Sequence, residues 1–170
     1  MAGEAGGKSK HKGGNPEVAI RPAARADIPA LVALERRTFT GDWVSARSFR
    51  ELIRRGHALT LVEEWRGEIR GYALLFFRRG SRVGRLYSFA VAPEHRGQGL
   101  AKVLLAAAER AAREHGASLM RLEVRADNVE AKALYARLGY RPIGSTAAYY
   151  DDGMDAVRME KRLLAQAAGN

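Results

Sequence analysis

The sequence predicts one α/β domain of the α+β type, a mostly antiparallel sheet flanked by about four helices. Three observations predict it. The apolar runs "HALTLVEEW", "GEIRGYALLFFRR" and "SRVGRLYSFAVAP" follow one another with only Gly-containing turns between them, which imposes antiparallel pairing. A run from Leu100 repeats its apolar residues at the helical period and leads into an alternating stretch, "SLMRLEV". At 170 residues the chain is long enough for one sizeable core and short for two.

Taken in order, "MAGEAGGKSKHKGGNP" (1–16) is rich in Gly and Lys with little to bury, and reads as a disordered basic tail ahead of a single domain over 17–170. "EVAIR" is a short strand. "ADIPALVALERRTF" is a helix, with Asp27 as N-cap and Pro29 in its first turn. A second helix follows Ser45, and the three strands come next. The helix from Leu100 presents Leu100, Val103, Leu104, Ala107, Ala108 and Ala111 on one face, with Glu109 off it, and stops at His115 and Gly116. In "SLMRLEV" Met120, Leu122 and Val124 share one face and Glu123 points from the other. Asp127 and Glu130 have capping-box spacing with Asp127 as cap, and Gly139 ends the helix they open. "YRPIGSTAAYY" and "DAVRMEKRL", joined by "DDG", form a closing hairpin.

Composition narrows the function. The net charge is +10, of which the tail carries +2 and the body +8, a balance that suits polyanionic partners and equally suits an arginine-rich solvated surface. There is no cysteine, hence no disulfide framework, thiolate nucleophile or cysteine metal site. No apolar run matches a membrane span and no secretory signal is apparent, so a cytoplasmic protein without membrane contacts is expected. His11, His57, His95 and His115 lack metal-binding spacing, and no metal is expected. No G-x-S-x-G occurs, and neither an RRM-type aromatic strand motif nor an aromatic-lined basic groove is visible, so sequence-specific nucleic-acid binding is not expected. A basic RNA- or ribosome-binding module is the alternative from another class.

The chemistry concentrates where the strand ending at Val91 meets the helix from Leu100. A strand, a glycine loop and a helix N-terminus aim unpaired N–H groups and the helix dipole at one spot, which suits phosphate. The dinucleotide pattern fails because Lys102 stands where its third glycine belongs, and no triphosphatase loop exists. What remains is "RGQGLA". It resembles the coenzyme A pyrophosphate loop, [RQ]-x-x-G-x-[GA], of the GNAT acetyltransferases, with Arg96, Gly99 and Ala101 at its fixed positions. "LEVRADNVEAKALYARLGY" looks like the second half of that family's cofactor site, and "YYDDGMDAVRMEK" is similar to the closing hairpin of its protein N-terminal acetyltransferases, including the ribosomal-protein-alanine enzymes. The resemblance covers about Val18 to Leu163.

It implies the GNAT acyltransferase fold, a mixed sheet splayed between the strands ending near Val91 and Val124, with acetyl-CoA in the opening. The family pattern places Phe89, Ala90 and Val91 along the acetyl group and pantetheine arm, and Arg96, Gly97, Gln98, Gly99, Leu100, Ala101 and Lys102 around the pyrophosphate. Asn128 would bond the pantetheine, Tyr135 would protonate the departing thiolate, and Glu123 would be the general base, directly or through water. Glu35, Phe39, Trp43, Tyr149 and Tyr150 would line the acceptor, although Thr40 stands where the family has Pro. The acceptor implied is a protein or peptide N-terminus, with ribosome association a further implication; a lysine or a small amine stays open.

The residue types suit this chemistry. An α-amine of pKa near 8 is about 10% neutral at pH 7 and a lysine about 0.04%, so the nucleophile must lose a proton, and a carboxylate can take it. Asn128 and Tyr135, seven residues apart on a helix, lie on nearly one face about 10 Å apart. Each also has a plainer reading: Tyr135 as a core aromatic, Asn128 as a first-turn residue, Glu123 as partner of Arg121 or of a neighbouring strand. "RRGSRVGR" could face a 3′-phosphate or an acidic substrate, or simply be solvated.

Overall fold

A computed structural model describes residues 18–164; the predicted basic tail lies outside them. In chain order come β1 (Val18–Pro22), a 3-10 turn (Arg25–Asp27), α1 (Ile28–Thr38), α2 (Ala46–Arg54), β2 (Ala58–Trp65), β3 (Glu68–Phe77), β4 (Val83–Val91), a second 3-10 turn (Pro93–His95), α3 (Leu100–Glu114), β5 (Leu119–Arg125), α4 (Val129–Arg137), β6 (Arg141–Thr146) and β7 (Ala156–Arg162). The strands form one sheet in the order β1-β2-β3-β4-β5-β7-β6. Every pairing is antiparallel except β4 with β5, the two strands bridged by the α3 crossover.

Alternation along β3 gives the sheet its two cores. Tyr72 and Leu74 face α1 and α2, joining Leu31, Leu34 and Phe49; Ala73 and Leu75 face α3, joining Leu104, Leu105 and Ala108. Each fully buried Leu stabilises the fold by about 1.5–3 kcal/mol. Gly71 lets α3 come close, since a Cβ there would stand 3.0 Å from the Ala90 carbonyl oxygen and 3.2 Å from a Leu104 methyl.

Several expectations are corrected in detail. The buried stripe of α3 includes Leu104, Leu105, Ala108, Ala111 and Ala112, while Val103 is 53% exposed. Glu109 is buried on that helix, accepting from the Tyr140 hydroxyl and Lys161. Asp27 precedes α1 but does not cap it: its carboxylate takes the Ala24 N–H and the Arg21 guanidinium. The cap of α4 is Asn128, whose Oδ1 accepts from the Ala131 N–H at 3.0 Å, because Arg125 draws the Asp127 carboxylate away. β6 ends at Thr146, so Tyr149 and Tyr150 belong to the loop before β7.

Candidate active site

Two irregularities open the sheet. The β4–β5 pairing runs only from Val83↔Leu119 to Leu86↔Leu122, after which the strands part. On the other side of β4, Leu74 pairs with Ser88 and Leu75 with Leu86, so Tyr87 is an extra, bulged residue at the start of the gap. Beyond it Ala92 donates its N–H to the Arg70 carbonyl on the β3 side. Antiparallel alternation then turns the main-chain polar groups of Phe89 and Val91 away from β3, into the gap. The Val91 carbonyl accepts from Arg96 Nε at 3.3 Å instead of from a strand.

That contact ties the glycine loop to the end of β4. Gly97 and Gly99 hold φ of 76° and 79°, a region that disfavours side chains, and a Cβ on either would meet nothing within 4 Å. Among the described residues, the N–H groups of 97–102 have no acceptor in the protein. Bare, outward N–H groups, the positive end of a 15-residue helix and the Lys102 ammonium fit a pyrophosphate. Gln98, Leu100 and Ala101 complete this turn.

Tyr135 lies across the gap on α4. It is 9% exposed, edge-on to Phe89 at 6.5 Å and to Tyr140 at 5.7 Å, and its hydroxyl has no protein hydrogen-bond partner among the described residues. Burial, with a smaller contribution from Tyr150, raises its pKa, so it stays a proton donor at neutral pH. Ala90 turns the other way, into the α1/α2 core. Asn128 stands exposed at the head of α4 with its Oδ1 committed to the cap and its amide nitrogen outside that bond.

Glu123 is the first residue of β5 past its last pair with β4. Its partner is Arg85 at 3.3 Å rather than Arg121, which pairs with Glu160 at 2.6 Å. Arg85 also donates to the Tyr149 hydroxyl at 2.8 Å and covers the Tyr87 ring at 5.5 Å. Tyr150 packs on Tyr149 and under Arg125, which is clamped between Asp127 and Asp152. Burial pushes the Tyr150 hydroxyl up to about 12. The β6–β7 loop is thereby fastened over the end of β5, with two phenols beside the carboxylate.

The acceptor residues divide into support and surface. Glu35 is 1% exposed, beneath the α1–α2 loop, where it accepts from the Val44 N–H at 2.8 Å, the Tyr72 hydroxyl and, at 3.4 Å, the Ser88 hydroxyl. Burial raises its pKa against the opposing pull of these donors. Trp43, half-exposed, donates its indole N–H to the Phe39 carbonyl at 2.7 Å and so closes the loop that Glu35 anchors. Trp43, Val44, Arg47, Phe76 and Tyr87 line a depression of about 390 Å³ beside the bulge. Sequence reasoning missed Tyr72, Ser88 and Arg85: each works through a partner 16 to 53 residues away, and only register brings such pairs together. His95 lies near Glu68 and Glu94 in an exposed cluster in which Arg37 takes Glu94.

Comparison with known proteins agrees with this geometry. The acetyltransferase (GNAT) domain family matches residues 20–163. The chain is 32% identical over 144 residues to a Bacillus subtilis protein assigned as a ribosomal protein bS18-alanine N-acetyltransferase, covering 84% of this chain and 94% of that one. It is 32% identical over 154 residues to the N-alpha-acetyltransferase RimI of Mycobacterium tuberculosis, covering 85% and 92%. The crystal structure of the Escherichia coli ribosomal-protein-S18-alanine N-acetyltransferase superposes with a TM-score of 0.78 at 26% identity, over 91% and 99% of the two chains. With a family match that spans β1 to β7 and a sheet that opens between β4 and β5 beside the glycine loop, the chain belongs to the GNAT acetyltransferases, enzymes that acetylate an amine.

Proposed function

We propose that the protein transfers the acetyl group of acetyl-CoA to the α-amine of a protein N-terminus, by direct attack with both substrates bound. The observation that carries this reading is the parting of β4 and β5 beyond Leu86 and Leu122, with Glu123 next along β5, Tyr135 against Phe89 of β4, and the glycine loop tied to the end of β4. Bound acetyl-CoA supplies an acetyl thioester. The N–H groups of 97–102 hold its pyrophosphate, and the outward polar groups of Phe89 and Val91 orient the arm and the acetyl carbonyl. The Asn128 amide nitrogen, which lies outside the α4 cap bond, donates to the same arm. Glu123, fixed by Arg85, takes the proton that the amine must lose, directly or through a water. Tyr135, kept protonated by burial, gives its proton to the departing thiolate.

The acceptor reading rests on the surface beside the bulge. The loop anchored by Glu35 and carrying Phe39 and Trp43 faces the loop carrying Tyr149 and Tyr150, and aromatic walls on two loops suit a peptide's first residues. The relatives named for alanine or α-amine acetylation support the same acceptor. The test follows free thiol with acetyl-CoA and peptides beginning Ala, Ser or Met, beside the same peptides blocked at the α-amine but carrying a lysine. Thiol release that disappears on blocking supports the reading; release that persists moves the acceptor to lysine or small amines.

A further inference from the structure

The end of the sheet opposite the active-site gap carries a second constellation that acetyl transfer does not use. Register places it: Phe77 pairs with Gly84, Val83 with Leu119 and Leu119 with Arg162, while the Ser118 N–H donates to the Arg82 carbonyl and the Leu163 N–H to the Ser118 carbonyl. The β3–β4 turn, the starts of β4 and β5, the last turn of α3 and the end of β7 therefore meet. They bring Arg78, Arg79, Arg82, Arg110, Arg113 and Arg162 to one end of the sheet, where Arg82, Arg110 and Arg113 lie together beside Glu114. None of these six guanidinium groups is in an ion pair among the described residues, although other arginines of the fold, such as Arg21, Arg70, Arg85, Arg121 and Arg125, are. Arg82, Arg110 and Arg113 line a depression of about 420 Å³, and the Arg113 Nε is buried there without an acceptor.

A cation at the C-terminal end of α3 complements its dipole, which accounts for Arg113 and no more. Arg78, Arg79 and Arg82 sit on a turn, Arg162 on a strand end, and packing this much like charge at one end costs stability through self-repulsion. Their shared property is a set of planar, unpaired donors matched to phosphate. A protein partner is disfavoured by the rest of the face: protein interfaces are built on apolar and aromatic anchors, and Leu164 is the exposed large apolar side chain next to this end. A phosphate backbone needs spaced cations and little else.

We infer that this arginine end is a docking surface for the phosphate backbone of RNA, bound without sequence preference and with the acetylation gap facing away. The experiment measures binding of a fluorescent RNA hairpin to the full chain by anisotropy from 50 to 200 mM salt. It compares the protein with R79Q/R82Q/R110Q, which spares Arg113 and its buried Nε, and with R25Q/R36Q/R50Q, which removes the same charge elsewhere. The expected result is that the first variant loses more than about tenfold in affinity and that its log–log salt slope flattens by about 2 to 3, while the second keeps the slope. Both are checked for unchanged melting and unchanged acetylation of a free peptide. Absence of hairpin binding at 50 mM salt, or equal losses in both variants, overturns the proposal. Polyglutamate that competes as well as unlabelled RNA overturns it in favour of an acidic protein.

Discussion

Tyr135 carries two demands on one side chain: its ring fills the core between Phe89 and Tyr140, and its hydroxyl has no protein partner among the described residues. Tyr135→Phe keeps the first and removes the second. General acid catalysis contributes roughly 10²–10⁴-fold, so turnover under saturating substrates is expected to fall by about 10²-fold or more, with acetyl-CoA affinity by calorimetry and the melting temperature unchanged. A variant with full turnover would take the acid role from Tyr135. Glu123 answers to a different readout. If it collects the amine's proton, Glu123→Gln removes the acidic limb of the pH–rate profile, and a limb that survives at the same pH assigns the base to another group. Glu123 was legible from alternation in "SLMRLEV", which set it apart from Met120, Leu122 and Val124. Its partner was not, because Arg85 reaches it across the parallel β4–β5 pair and leaves Arg121 to Glu160.

Between residues and fold, the elements act by holding backbone. Gly99 occupies φ 79° with open space where a Cβ would go, so an alanine there meets strain rather than a clash. Left-handed backbone costs a non-glycine residue roughly 1–2 kcal/mol. Gly99→Ala relaxes in the free protein and must be forced back to bind, so the acetyl-CoA dissociation constant is expected to rise about tenfold. Unchanged affinity would mean the loop's N–H groups do not hold the phosphates. Tyr72 plays the matching part for the acceptor side, joining β3 to Glu35 on α1 and to Ser88 on β4. Tyr72→Phe deprives a buried carboxylate of one donor, a cost of about 1–3 kcal/mol. The expected outcome is a lower melting temperature and a raised KM for the peptide, with acetyl-CoA affinity kept. The elements themselves were readable wherever one period dominated, as in α3 and β5. Where two adjacent side chains could do the same work the sequence was ambiguous: Asp127 and Asn128 can both cap α4, and Arg125 decides between them by taking Asp127. The bulge at Tyr87 left no local signal, because it exists only in the register between β3 and β4.

At the scale of the molecule, two carboxylates, part-buried Asp27 and buried Glu35, make stability depend on pH in opposite directions. Arg21 holds the Asp27 carboxyl below its usual range, helped by the Ala24 N–H. Such a group binds its proton less readily folded than unfolded, so its contribution is present above the unfolded pKa, near 3.8, and is lost as pH falls through the lower folded value. Glu35 is the reverse. Burial raises its folded pKa above 4.5, so it favours the fold fully below that value, and this advantage is lost as pH rises through the folded one. Melting curves of the protein, Asp27→Asn and Glu35→Gln between pH 3 and 8 separate the two. The protein should exceed Asp27→Asn most at neutral pH, with the gap closing toward pH 3. Relative to Glu35→Gln it should fare best at acid pH and lose ground as pH rises, since the amide keeps an acceptor for the Val44 N–H without a charge to desolvate. Two gaps that change in the same direction with pH would mean that Glu35 ionises more easily in the fold than in the unfolded chain, so that the donors around it outweigh its burial.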